Sequence, residues 1–180
     1  MKEIRNSPAG SPSRRAGAAA ALAALAPSLL FGSTAFLTWF NARAAWLVVP
    51  SALGAPYGPP PLRALPVGGG PWPLFLADLA AVGVVAAVAG VLTARAVRRR
   101  PHAGRARTAL SAWGAFALGT ALAGVLRGAA PAALMGLGPL GWGAHAAGGA
   151  VVGLLWGAAL GWVCAAATAA VHRPEPVPAR

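Results

Sequence analysis

The sequence has few acidic residues and few charged residues of any kind. Only three of its 180 residues are Asp or Glu, and charged residues make up 10% of the chain, whereas a soluble domain carries about 25%. Hydrophobic residues account for 57% of the chain. This composition argues against an ordinary soluble domain and indicates a protein whose surface faces lipid.

Cysteine is nearly absent, and so are the motifs that hold metals or cofactors. A single cysteine, Cys164, excludes an intrachain disulfide. The three histidines are far apart in sequence, so they form no obvious metal-ligand group. The string GLGPLG at 136–141 has the spacing of a dinucleotide-binding loop, but it lies between apolar segments without a preceding strand, which indicates a turn. We therefore predict no catalytic residue, no metal and no cofactor, and we expect that the protein is not an enzyme.

Long apolar segments are abundant instead. A helix needs about 20 apolar residues to cross a bilayer core of about 30 Å. The segments of this length are about 17–40, 74–94, 108–126 and 146–171. They predict an all-α fold, an integral membrane four-helix bundle within residues 17–171.

The start of the first segment also resembles a signal peptide. Arg14 and Arg15 precede an apolar run, as in a twin-arginine signal. The run continues to Phe40, which is longer than the apolar core of about 7–15 residues in a signal peptide. We expect an uncleaved first helix that is kinked by Pro27, with the hydroxyls near its end bonded to backbone carbonyls one turn back.

Basic residues lie mainly on one side of the predicted spans. They fill the tail 1–16, the loop 95–107 and the tail 172–180. The basic residues on the opposite side are Arg43, Arg63 and Arg127. Because cytoplasmic loops of membrane proteins are enriched in Arg and Lys, this distribution predicts that both termini and the basic loop are cytoplasmic (N-in/C-in).

The excess of positive charge also bears on which anionic partners the protein binds. We expect Arg98, Arg99 and Arg100 to contact anionic lipid headgroups. We predict no nucleic-acid binding, because no nucleic-acid-binding fold surrounds these residues.

The preference for Arg over Lys, together with abundant Ala, Gly and Pro, indicates a GC-rich bacterial genome.

The segments outside the spans are predicted to be connectors. Residues 41–73 are rich in proline and glycine, so they form neither a long helix nor a central strand. They are interpreted as an extended outer linker with polyproline character or, alternatively, as a loop that binds a partner. Residues 172–180 are predicted to be a disordered tail.

A stripe of glycines runs along the fourth span. Its members recur at intervals of four residues: Gly149, Gly153, Gly157 and Gly161. Glycine disfavours helices in water, at about 1 kcal/mol relative to alanine, but in lipid it allows helix backbones to approach closely. The stripe therefore predicts tight helix packing. The partner is either another span of this chain or, as in a glycine zipper, a second copy or another membrane subunit.

One group of ionisable residues is predicted at similar depth near the outer surface. It comprises Asp78, Arg43, Arg127 and His145, one from or beside each span. Two alternatives remain for this group: a salt bridge that closes the bundle, or a ligand-binding or proton-linked site.

The sequence thus predicts a small multi-pass protein of the bacterial cytoplasmic membrane. Its expected role is that of a non-enzymatic subunit or interaction protein, with the lipid bilayer and another subunit or itself as partners. The alternative is a transporter or channel component with an outer-facing polar site.

Overall fold

A computed structural model describes residues 11–48 and 56–173 of the chain. The described residues contain six α-helices and no strand, which confirms the all-α prediction for this part of the chain. The helices are α1 (Pro12–Gly32), α2 (Thr34–Ala44), α3 (Trp72–Arg99), α4 (Arg105–Leu134), α5 (Gly138–Leu160) and α6 (Trp162–Val171). Most of the predicted tails 1–16 and 172–180 lies outside the described residues.

Within the described ranges, four helices are long and apolar enough to cross a membrane, namely α1, α3, α4 and α5. They contain between 21 and 30 residues. At about 1.5 Å per residue, even the shortest is about 32 Å long, which matches the thickness of a bilayer core.

The first predicted span, 17–40, consists of two helices rather than one. Ser33 is extended, with φ −77° and ψ 123°, and its backbone N–H donates to the carbonyls of Leu29 and Leu30. Its hydroxyl accepts a hydrogen bond from the backbone N–H of Phe36, at 3.3 Å. Ser33 therefore ends α1 and caps α2, whereas Pro27 lies within α1.

The fourth predicted span, 146–171, is also divided. Gly161 separates α5 from α6 while keeping helical angles, with φ −63° and ψ −17°. The two parts have different neighbours, since α5 packs mainly on α4 whereas α6 contacts both α1 and α4. The remaining close pairs are α1 with α3 and α3 with α4.

The core of the bundle is built from small side chains. Ala24, Ala81, Ala89, Ala112 and Ala123 are buried there, together with the larger Val85 and Phe116. In a membrane, small residues let helix backbones come close enough for dispersion contacts. Large apolar side chains lie on the outside instead, and those exposed on α5 include Val151, Leu154 and Leu155.

The two ends of the bundle are named here by their charged residues. The end that carries Asp78, near the start of α3, is called the Asp78 end. The opposite end, where α3 stops at Arg99 and α4 begins at Arg105, is called the Arg99 end. Gly17 of α1 lies against Gly90 of α3, so the start of α1 is on the Arg99 side.

Part of the proline-rich connector enters the bundle at the Asp78 end. Residues 56–63 are called the inserted loop, and residues 58–61 within it are buried. This differs from an extended surface linker. The burial is possible because Pro59, Pro60 and Pro61 have no backbone N–H that would need a partner. The next N–H, that of Leu62, donates to the carbonyl of Ser28 in α1, at 2.8 Å.

Glycine is required at the tightest point of the inserted loop. Gly58 has φ +69°, and a Cβ placed on it would lie 2.6 Å from the ring of Phe31. Both the backbone angle and the close approach of the ring therefore exclude a side chain. Residues 49–55 of the connector lie outside the described part of the chain.

Candidate functional site

Asp78 and Arg127 form an ion pair between α3 and α4. The Nε of Arg127 lies 2.7 Å from Oδ1 of Asp78, and the side chains are 12% exposed for Arg127 and 29% exposed for Asp78. This short distance is that of a charge-assisted hydrogen bond. The pair links the second helical turn of α3 to the last third of α4.

Arg127 also binds the inserted loop. Its Nη1 donates to the carbonyl of Gly58 at 2.7 Å, and its Nη2 donates to the carbonyl of Tyr57 at 3.4 Å. All three guanidinium nitrogens therefore have partners. Asp78 binds one edge of the guanidinium group, and the backbone of the inserted loop binds the other.

The other two members of the predicted group have different contacts. Arg43 donates from Nη1 to the carbonyl of Trp39 at 3.2 Å, and its guanidinium lies 4.6 Å from the centre of the Trp39 ring. The Nδ1 of His145 is 2.9 Å from the carbonyl oxygen of Gly141, one turn back in α5. The structure thus brings Asp78 and Arg127 together, and it places Arg43 and His145 in contacts within their own helices.

Arg63 fastens the far end of the inserted loop. Its Nε donates to the carbonyl of Gly32 at 3.1 Å and its Nη2 to that of Phe31 at 3.4 Å. These carbonyls belong to the last turn of α1, where no intrahelical donor is left for them. From the sequence, Arg63 was expected only to contribute to the charge distribution.

An aromatic cluster also packs against the inserted loop. The ring centres of Phe31 and Trp156 are 5.2 Å apart, and Tyr57 and Phe40 also pack on Trp156. The Tyr57 hydroxyl donates to Oδ1 of Asn41 at 2.6 Å. Burial raises the pKa of Tyr57 above its usual value of 10.0.

The inserted loop fits closely against α4 and α5. The space left between its prolines, Thr120 and Gly153 is about 10 Å³, which is room for about one water at most. Two larger clefts, of about 160 and 150 Å³, are both lined by Asp78. The partly exposed carboxylate therefore faces space large enough for several waters.

The glycine stripe lies against α4 along its whole length. A Cβ on Gly149 would overlap the carbonyl oxygen of Gly124, and one on Gly153 would overlap that of Thr120. Gly157 faces Ala117 and the Thr120 hydroxyl, and Gly161 faces the ring of Trp113.

The close approach of α4 and α5 is reciprocal. On α4, a Cβ on Gly124 or Gly128 would overlap the carbonyl oxygens of Gly149 or His145. The Nε1 of Trp113 closes the contact near Gly161 by donating to the carbonyl of Ala158 at 2.9 Å. In this structure, the partner of the stripe is therefore α4 of the same chain.

The described ranges contain no group of three His, Cys, Asp or Glu side chains that could hold a metal ion. Comparisons of the chain with models of protein families, with curated proteins and with solved structures found no match.

Proposed function

We propose that the chain is a multi-pass protein of a bacterial cytoplasmic membrane that acts as a non-enzymatic subunit or interaction protein. The observation that carries this proposal is the inserted loop. Its buried prolines fill the space between α1, α4 and α5 at the Asp78 end, and Arg127 and Arg63 hold it there. The polar groups at this end thus serve to fasten the chain to itself, as expected of a compact structural unit.

The positions of the arginines support an N-in/C-in orientation. The start of α1, the loop between α3 and α4 and the end of α6 meet at the Arg99 end, where the Nε2 of His172 lies 3.0 Å from the carbonyl of Ala103. Most basic residues of the chain belong to these segments. The positive-inside rule therefore assigns the Arg99 end to the cytoplasm.

The outer face of α5 supports a role in interaction. α5 packs mainly on α4 and leaves Val151, Leu154 and Leu155 at least half exposed. In the proposed membrane this face meets lipid or another apolar helix. We assign it as the contact surface for another membrane subunit or a second copy of the chain.

Site-specific photocrosslinking in native membranes tests this assignment. A photoreactive amino acid replaces Leu154 or Leu155 on α5, and a control chain carries it at Leu22 on α1, which is at least as exposed. We expect a discrete protein adduct from the α5 positions and none from Leu22. The adduct's mass distinguishes a second copy from another subunit. Crosslinks to lipid alone at both α5 positions would contradict the proposal.

A transporter or channel component is the second candidate, and the exposure of Asp78 favours it. The carboxylate is 29% exposed and lines two clefts that open at the proposed outer side. In that case Asp78→Asn would fold normally but abolish solute movement into liposomes. A destabilised Asp78→Asn protein would instead assign the carboxylate to holding the bundle together.

A further inference from the structure

A basic cleft lies at the Arg99 end, between the last turn of α3 and the first turns of α4. Its volume is about 190 Å³. Three arginines line it: Arg99, Arg100 and Arg107. The remaining lining residues are small and include Thr108 and Ser111.

The three arginines have no counter-charge in the described part of the chain. No hydrogen bond or ion pair from their guanidinium groups is found there, in contrast to Arg105, whose Nε donates to the carbonyl of His172 at 3.3 Å. The nearby hydroxyls donate to carbonyls one turn back, Thr108 to Gly104 and Ser111 to Arg107. The arginines are thus the free donors of the cleft.

The position of the cleft along α3 indicates where its ligand would lie. Arg99 follows Asp78 by 21 residues in the same helix, which corresponds to about 31 Å. This distance is close to the thickness of a bilayer core. With Asp78 near one membrane surface, the cleft is level with the lipid headgroups of the other.

The charges around the cleft favour an anion with two or more acceptor oxygens. The guanidinium fork matches phosphate geometry and donates two parallel hydrogen bonds to it. Arg107 lies in the first turn of α4, where a positive charge opposes the helix dipole. A bound phosphate would remove this unfavourable interaction as well as the repulsion among the three arginines.

We propose that this cleft binds a phosphate group, either that of an anionic lipid or that of a soluble phosphate compound. The lipid source rests on the membrane placement in the proposed function, whereas the soluble source does not. The proposal narrows the sequence-based expectation for Arg98, Arg99 and Arg100: Arg98 does not line the cleft, and Arg107 joins it from the next helix.

Two triple variants with the same loss of charge test the proposal. The cleft variant carries Arg99→Gln, Arg100→Gln and Arg107→Gln. The control variant carries Arg95→Gln, Arg98→Gln and Arg173→Gln, three exposed arginines that do not line the cleft. Full-length proteins are placed in nanodiscs of phosphatidylcholine alone, or of phosphatidylcholine with phosphatidic acid.

The two kinds of nanodisc distinguish the two sources. Phosphatidic acid retained on the protein is counted by native mass spectrometry of the mixed nanodiscs. Binding of radiolabelled inorganic phosphate is measured by equilibrium dialysis with the phosphatidylcholine nanodiscs. We expect the cleft variant to lose about tenfold or more in affinity for the probe that binds, since each tenfold corresponds to about 1.4 kcal/mol. The control variant should stay within about twofold of the wild type.

Arg107→Lys provides a second variant should the triple fail to fold. Lysine keeps the charge but lacks the fork, so we expect weaker binding at unchanged thermostability. Equal losses in the two triple variants would overturn the proposal, because net charge would then explain the binding. It would also be overturned if the wild type bound neither probe. Neither result depends on whether α5 has a protein partner, so the proposed function is tested independently by the crosslinking experiment.

Discussion

The two ends of the bundle differ in the environment of their charged side chains. At the Asp78 end, Asp78, Arg127 and Arg63 bind other parts of the chain through an ion pair and hydrogen bonds to backbone carbonyls. At the Arg99 end, basic side chains are numerous, and most of them are exposed. Charge at the first end is thus paired within the chain, whereas charge at the second is exposed.

This difference follows from the cost of burying polar groups. Where the inserted loop enters the bundle, its backbone carbonyls lose water and need donors. An arginine supplies up to five donors from one side chain. The loop and its arginines therefore form one unit, and removing either leaves the other unsatisfied.

The largest expected effect concerns which end faces which side of the membrane. Single cysteines replace Leu65 at the Asp78 end and Arg98 at the Arg99 end, in a Cys164→Ala background. Both positions are exposed. An impermeant thiol reagent added to intact cells should label Leu65→Cys only, and Arg98→Cys should react only after permeabilisation. The reverse pattern would invert the proposed orientation.

Removing Arg127 should be the most destabilising change at the Asp78 end. Arg127→Gln removes the ion pair and both bonds to the inserted loop. Breaking a fully buried pair costs about 3–5 kcal/mol, and this is an upper bound here because Asp78 is partly exposed. Asp78→Asn should cost less because the loop bonds remain. The double variant should recover part of the loss, since no unpaired charge is left. Unfolding in detergent measures these differences.

Arg43→Gln is the control for that series. Arg43 is exposed, and its guanidinium binds Trp39 of its own helix, so its loss should change stability by less than about 1 kcal/mol. If Arg43→Gln is as costly as Arg127→Gln, the assignment of separate roles to the two arginines is wrong.

A smaller loss is expected where α5 meets α4. At Gly149, even alanine would overlap the carbonyl of Gly124, so Gly149→Ala should destabilise by about 1–3 kcal/mol through overpacking. The neighbouring Gly148 has open space around its added Cβ. Gly148→Ala should therefore be neutral or stabilising, by up to about 1 kcal/mol, because alanine favours the helix. Equal thermostability of the two variants would show that the stripe does not need glycine.

The apolar helices and the meeting of Asp78 with Arg127 could be predicted from sequence, because hydropathy fixes which residues share a depth. Depth alone does not fix the direction in which a side chain points. Arg43 and His145 were placed at the same depth for this reason, yet they bond within their own helices. Predicting this difference requires the rotation of each helix, which the sequence does not give.

The inserted loop could not be predicted from side-chain patterns, because the loop atoms that bind Arg127 are backbone carbonyl oxygens. One signal was nevertheless present: Pro59, Pro60 and Pro61 are consecutive residues without an N–H, which lowers the cost of burial. The break at Ser33 also had a signal, since serine favours the N-cap position of a helix. Because apolar runs flank Ser33 on both sides, the segment 17–40 was predicted as one continuous span.

The smallest expected effect is that of Tyr57, which is the only tyrosine in the chain. Its hydroxyl donates to Asn41, and a single hydrogen bond contributes about 0.5–1.5 kcal/mol. Tyr57→Phe should destabilise by about that amount at neutral pH. Because burial raises the pKa of Tyr57 in the folded state above 10.0, folding favours the protonated hydroxyl. This contribution is complete below the unfolded pKa near 10, and it is lost as the pH rises through the folded pKa. The wild type should therefore lose stability at alkaline pH in step with the ultraviolet absorbance of tyrosinate, and Tyr57→Phe should lack that component. If tyrosinate forms at the pH of free tyrosine, Tyr57 is not held in the bundle, and the inserted loop is looser at this point than its contacts indicate.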